Sequence, residues 1–191
     1  MISNVQITQI QLAHAAGLLD GAIAHSAGVS LSTVKRVRKN LGLETNSVTA
    51  LRGRQGEKVA AQAARTRGLK VEWRTHDTAK HDLVVSGLRV DVKTAMQQPD
   101  GTWKYRLPVM RASFGRQYEY PKDYAADCEV IVLCCLYLDG RTPDLYMLSS
   151  TALPGTVRII PGTSHLAALE DWSMLAVPLP LHLPPLLPLS A

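Results

Sequence analysis

Asp82, Asp91 and Lys93 are the strongest candidates in this chain for chemically active side chains. Ser86-Gly87 is typical of a two-residue β-hairpin turn, which would set Asp82 directly opposite Asp91, with Lys93 on the same face. Opposed carboxylates have Cβ atoms only ~4.5–5.5 Å apart and repel each other unless a cation lies between them. This spacing predicts a site for a divalent metal ion and an activated water.

The same hairpin has a simpler interpretation. Its other face is entirely apolar, formed by Leu83, Val85, Leu88, Val90 and Val92. A charged face opposite an apolar face is what any half-solvated hairpin shows. On the hairpin alone a solvated face is the favoured interpretation. The choice between it and a metal site depends on the rest of the chain.

Composition limits the classes of protein. The 191 residues, 46% of them apolar, suit one domain of ordinary size with a small appendage. We find neither a secretory signal nor an apolar run of about 18 residues, so no membrane association is expected. Three cysteines, Cys128, Cys134 and Cys135, are typical of buried thiols in a reducing compartment, and we expect a cytoplasmic protein.

The positive charge is concentrated in the first part of the chain. Residues 1–74 contain 11 Lys and Arg against 4 Asp and Glu, a balance of +7, whereas residues 75–191 contain 10 against 12, a balance of −2. A basic segment favours a polyanionic partner, with nucleic acid as the first candidate.

Periodicity and turn residues divide the chain into three segments, 1–46, 47–176 and a Pro/Leu-rich tail, 177–191. The first is predicted to hold helices over Gln9–Leu18, Asp20–Ala27 and Leu31–Leu41, the last capped by Ser30 and ended by Gly42. The second is predicted to open with a helix over Arg54–Thr66. Strands are then predicted over Lys70–Thr75, Asp82–Val85, Leu88–Ala95, Trp103–Leu107, Glu129–Leu138 and Leu145–Leu148.

Residues 20–41 resemble a helix-turn-helix, on the pattern Ile23-Ala24, Gly28-Val29-Ser30, Val34 and Val37. Gly28 is interpreted as the tight turn, where a Cβ would clash. The predicted DNA-contacting face of the third helix consists of Ser32, Thr33, Lys35, Arg36 and Lys39. The alternative is a small helical bundle used for protein contact.

From Gly56-Glu57 onward the chain resembles the PD-(D/E)xK nuclease superfamily. The matching pieces, in the superfamily's order, are Gly56-Glu57-Lys58-Val59-Ala60, Gly68-Leu69-Lys70-Val71, His81-Asp82-Leu83-Val84-Val85 and Val90-Asp91-Val92-Lys93-Thr94. The downstream sequence resembles the branch that includes homing endonucleases of self-splicing introns. His81 departs from the usual proline, which leaves its role open. The resemblance implies an α/β fold with a restriction-endonuclease-like mixed β-sheet flanked by helices, here preceded by the small all-α domain.

The resemblance also implies roles for individual residues. Asp82, Asp91 and the Val92 carbonyl would bind Mg²⁺, for which Mn²⁺ is expected to substitute, and Lys93 would orient the water. Glu57 would hold a second metal ion or a water, unless it is a surface acid near a helix start. Lys104, Arg106 and Arg116 are predicted DNA contacts, and each could equally be a solvated side chain.

These observations lead to a metal-dependent endodeoxyribonuclease as the first hypothesis. Its partner is DNA, and a double-strand cut with one site per chain would need a homodimer or a higher homo-oligomer. Two alternatives stay open from the sequence: a DNA-binding regulator with a retired nuclease fold, and a resolvase for branched DNA such as Holliday junctions.

Overall fold

The computed structural model describes residues 2–76, 79–113, 118–151 and 153–176. The chain divides into two compact units, Met1–Lys58 and Val59–Ala191. The predicted boundary at 46/47 stays a prediction. Arg116 and the Pro/Leu-rich tail lie outside the described residues.

Three helices form the core of the first unit: α1 (Asn4–Ala15), α2 (Asp20–Ser26) and α3 (Leu31–Asn40). Their buried apolar residues are Ile10, Ile23, Ala27, Val34 and Val37. Ser30 caps α3 as predicted, because its Oγ accepts a hydrogen bond from the Thr33 backbone N–H at 3.2 Å. The predicted bounds of the first helix, Gln9–Leu18, were wrong. Ser3 and Gln6 form a capping box that starts α1 at Asn4.

Gly28 turns the chain between α2 and α3, but not for the predicted reason. A Cβ built at this position would meet no other described atom within 4 Å, so no clash requires glycine. Instead its φ of 61° lies in the left-handed region, which a residue with a Cβ adopts only at a cost.

Helix α4 (Val48–Thr66) starts six residues before the predicted Arg54 and runs through the boundary between the two units. Its first turn is anchored by Ser47, whose carbonyl accepts from Leu51 N at 2.9 Å. The sequence prediction missed this start because the segment before Arg54 lacks a clear apolar period. In the second unit, Ala60, Ala61 and Ala64 are buried in the same core cluster as the sheet residues Leu83 and Val90.

The second unit contains a mixed five-stranded sheet in the order β1-β2-β3-β7-β8. The strands are β1 (Val71–Trp73), β2 (Leu83–Val85), β3 (Leu88–Met96), β7 (Val130–Leu136) and β8 (Asp144–Ser149). Only the β3–β7 pair is parallel among these neighbours. Every residue of β7 is buried, as expected for a central strand covered on both faces. The predicted mixed α/β fold with N-terminal helices is therefore confirmed.

Two short ribbons accompany the sheet. One pairs β4 (Trp103–Arg106) with β9 (Thr156–Ile159), and the other pairs β5 (Met110–Ser113) with β6 (Tyr118–Pro121). The one-turn helix α5 (Tyr124–Asp127) follows β6. The sequence prediction missed β5, β6 and β9, each only four residues long. Among the described residues, no helix is both long and apolar enough to cross a membrane.

Candidate active site

The β2–β3 hairpin has the predicted turn and register. Ser86 and Gly87 have φ values of 50° and 88°, the two positive angles of a type I′ turn. Val85 pairs with Leu88, and Leu83 pairs with Val90. The backbone N–H of Asp82 donates to the Val90 carbonyl at 2.9 Å, which holds the first aspartate against β3.

The two faces of the hairpin also separate as predicted. Leu83, Val85, Val90 and Val92 belong to the core cluster that contains the α4 alanines. Asp91 and Lys93 point the other way, because they pair in parallel register with Ile131 and Leu133 of the opposite core cluster. Asp91 is nevertheless only 4% exposed, so the solvated-face interpretation is wrong for it.

Asp82 is buried and held from two sides. One carboxylate oxygen forms an ion pair with the Arg74 guanidinium. The other accepts a hydrogen bond from the Val92 backbone N–H at 2.9 Å, which crosses from one strand to the next. The carboxylate is therefore fixed against β3, one residue from Asp91.

Asp91 is surrounded by ammonium groups. Lys93 Nζ lies 2.6 Å from Oδ1 and 2.5 Å from Oδ2, and Lys122 Nζ lies 3.4 Å from Oδ2. Burial acts to raise the pKa of the Asp91 carboxyl, but Lys93, Lys122 and an interaction with the Asp82 carboxyl group together hold this pKa below its usual value. Asp91 thus stays a carboxylate although it is buried.

The donor set fits a hard divalent cation. Two adjacent, nearly buried carboxyl groups offer the oxygen ligands that Mg²⁺ prefers. Among the described residues, no cluster of three or more His, Cys, Asp or Glu side chains suited to a metal is present. A pair of carboxylates needs water or phosphate oxygens to complete an octahedron, which is usual for Mg²⁺.

Arg74 and Lys122 were not predicted as members of this site. Arg74 follows β1, and its backbone N–H donates to the Asp82 carbonyl at 3.1 Å, so the strand pairing brings it to Asp82. Lys122 follows β6 and lies over the Tyr124 ring, 4.1 Å from the centroid. The sequence analysis did not place Lys122 at this site, because β6 itself was missed.

Glu57 lies on α4 in the first unit and is partly buried. Its predicted part in binding a second metal ion stays a prediction, as does the role of the Val92 carbonyl. His81, beside Asp82, is also partly buried.

The β4–β9 ribbon is basic on its outer face. Trp103, Tyr105, Val157 and Ile159 are buried on its inner face, which leaves Lys104 and Arg106 exposed. Lys104 pairs directly with Arg158, a residue that the sequence prediction missed together with β9. Cross-strand like charges are unfavourable, and Asp100 offsets them here through an ion pair with Arg158 at 2.6 Å.

Helix α3 presents its predicted polar face to solvent. Ser32, Lys35, Arg36 and Lys39 are exposed and Thr33 is partly buried. Arg38 is different, since it is buried and donates from Nη2 to Asp20 at 2.7 Å. This pair ties α3 to α2 and leaves the other basic residues on the surface.

Comparison with known proteins identifies a similar fold. The structure of the bacterial homing endonuclease I-Ssp6803I superposes with a TM-score of 0.54 at 17% sequence identity, over 67% of this chain and 93% of that one. No protein-family model matches the sequence. The curated proteins contain no significant match either.

Proposed function

We propose that this protein is a metal-dependent endonuclease that hydrolyses phosphodiester bonds of DNA. The observation that carries the proposal is the nearly buried pair Asp82 and Asp91, with Lys93 on the second carboxylate. Burying two acids side by side is unfavourable without cations, so such a pair is typical of a site rather than of a core. The similarity in fold to a homing endonuclease supports the same class of reaction.

Each residue has a role that follows from its position. Asp82 and Asp91 would hold Mg²⁺, with the Val92 carbonyl as a further oxygen. When bound, Mg²⁺ would supply Lewis-acid stabilisation of the phosphate and a more acidic water. Lys93 is placed to orient the attacking water and to offset negative charge as it develops on the phosphate. Glu57 is proposed to position a second metal ion or a water.

Basic surfaces outside the site would bind DNA. Ser32, Thr33, Lys35, Arg36 and Lys39 of α3 are proposed to act as a helix-turn-helix reading face. Lys104, Arg106 and Arg158 on the β4–β9 ribbon are proposed as phosphate contacts, because their side chains lie together on one exposed face. A homodimer or higher homo-oligomer is proposed for double-strand cleavage.

The experiment is cleavage of supercoiled plasmid and of a four-way junction with Mg²⁺, Mn²⁺ or EDTA. We expect nicked and linear plasmid with either metal ion and intact plasmid with EDTA. Cleavage of the junction alone would make the protein a resolvase. Binding of DNA without cleavage of either substrate would instead support a regulator with a retired nuclease fold, and would overturn the proposal.

A further inference from the structure

Asp91 has more positive charge around it than a structural ion pair needs. Lys93 already contacts both of its carboxylate oxygens. Lys122 adds a second ammonium 3.4 Å from Oδ2. Two ammonium groups that share one carboxylate repel each other, and one of them is enough to neutralise that carboxylate.

Lys122 is held in place by groups other than Asp91. Its backbone N–H donates to the Val109 carbonyl at 2.8 Å, which extends the β5–β6 ladder by one pair. Its ammonium stacks on Tyr124, whose ring is buried. Only 14% of the Lys122 side chain is exposed, against 23% for Lys93. The fold therefore keeps this cation beside Asp91.

Two cations converge on one acid here. Lys93 and Lys122 both contact the Asp91 carboxylate, which is only 4% exposed. The next charged residue on this face of β3, Arg89, is balanced by Glu129 at 2.5 Å. Two ammonium groups that lie together in a largely buried place attract an anion, and they suit the oxygens of a phosphate.

We propose that Lys122 and Lys93 form a phosphate-binding site that takes a DNA phosphodiester even in the absence of metal. Lys122 is then a second substrate-binding lysine of the active site. This inference rests on the proposed function for the identity of the natural ligand. Its anion-binding property is independent of cleavage.

The first test titrates inorganic phosphate into the full-length protein in EDTA at constant ionic strength, observed through the NMR signals of ¹³C-labelled lysine side chains. We expect saturable shifts at Lys93 and Lys122. Lys122→Met keeps the aliphatic stem on Tyr124 and should weaken phosphate binding about tenfold, whereas Lys122→Arg should bind within about threefold of wild type. Lys70→Met, which removes an exposed lysine, should bind as wild type does.

The second test measures single-turnover cleavage with saturating DNA and Mg²⁺. Lys122→Met should cut about 10²-fold more slowly, and Lys122→Arg should recover most of the rate. Circular dichroism of each variant confirms that it is folded. Absence of saturable phosphate binding in the wild type, or wild-type affinity in Lys122→Met, would overturn the inference. Phosphate binding by a protein that cuts no DNA would overturn the proposed function alone.

Discussion

Arg74 is the charged partner of the buried Asp82 side chain. Asp82 is 9% exposed, and its ion pair with Arg74 compensates part of the hydration that its carboxyl group loses. A divalent cation bound to the Asp82 carboxyl group would offset the same loss of hydration in place of Arg74. Arg74 therefore links the stability of the hairpin to the proposed metal site.

We predict that Arg74→Ala lowers the free energy of unfolding by about 1–3 kcal/mol, because it leaves a buried carboxylate without its ion pair. Added Mg²⁺ should recover more of this stability in Arg74→Ala than it adds to the wild type. Urea denaturation with and without Mg²⁺ measures both quantities. Equal stabilisation of the two proteins by Mg²⁺ would contradict a metal site at Asp82.

The three cysteine thiols are buried, and their burial should make the stability of the fold depend on pH. Burial raises the pKa of Cys128 to about 11, an effect to which the Asp91 charge adds, and burial raises the pKa values of Cys134 and Cys135 to about 12. Unfolded thiols ionise near pH ~8.5. The folded state therefore retains protons that the unfolded state loses, and stability should fall as pH rises from about 8.5 towards 11.

We predict that none of these thiols reacts with a disulfide reagent in the native protein at pH 8, and that all three react in urea. The midpoint of urea unfolding under reducing conditions should fall from pH 8 to pH 10.5. The fall should be smaller in the variant with all three cysteines replaced by alanine. Rapid labelling of the folded protein would show that the thiols are accessible.

At the scale of elements, the Ser86-Gly87 turn fixes which residues face the site. Gly87 has a φ of 88°, and a Cβ there would meet no described atom within 4 Å, so its requirement is purely conformational. A shift of one residue in the register would move Asp91 to the opposite face of the sheet.

We predict that Gly87→Ala lowers the free energy of unfolding by about 1–2 kcal/mol, the usual penalty for a Cβ in the left-handed region. Ser86→Asn should stabilise the hairpin, because Asn-Gly is the preferred type I′ pair. Gly155→Ala is the matched control, since that position has open space and no positive φ. Chemical denaturation compares the three, and equal losses for Gly87→Ala and Gly155→Ala would contradict the turn assignment.

The exposed face of α3 should contribute to DNA binding mainly through charge. Replacing Lys35, Arg36 and Lys39 by alanine should weaken binding and reduce the slope of log affinity against log salt by up to about 3, roughly one for each lost phosphate contact. Fluorescence anisotropy over a salt series measures this slope. Lys70→Ala should leave the slope unchanged, and an unchanged slope in the triple variant would show that α3 does not contact DNA.

The sequence predicted some elements well for identifiable reasons. The hairpin followed from Ser86-Gly87 and the alternation around it, and β7 followed from an uninterrupted apolar run. Strands β5, β6 and β9 were missed because four-residue strands carry too little periodicity. The roles of Arg74 and Lys122 depend on tertiary contacts with residues far along the chain, which local patterns do not contain.

In the molecule as a whole, the charged residues fall into exposed basic surfaces and one buried set. The first unit presents basic residues on α3, and the second unit buries Asp82 and Asp91 with their cations. The β4–β9 ribbon adds basic residues on the outside of the second unit. This distribution suits a protein that binds a polyanion over exposed surfaces and acts on it at one buried pair of acids.

Asp91 and Lys93 are proposed to carry out DNA cleavage together. Its most direct test is the single-turnover cleavage rate with Mg²⁺ for the wild type, Asp91→Asn, Lys93→Met and the control Lys70→Met. We predict that the first two variants remain folded and bind DNA, yet cut at least about 10²-fold more slowly, while Lys70→Met cuts at the wild-type rate. Cleavage by Asp91→Asn or Lys93→Met at the wild-type rate would contradict these catalytic roles.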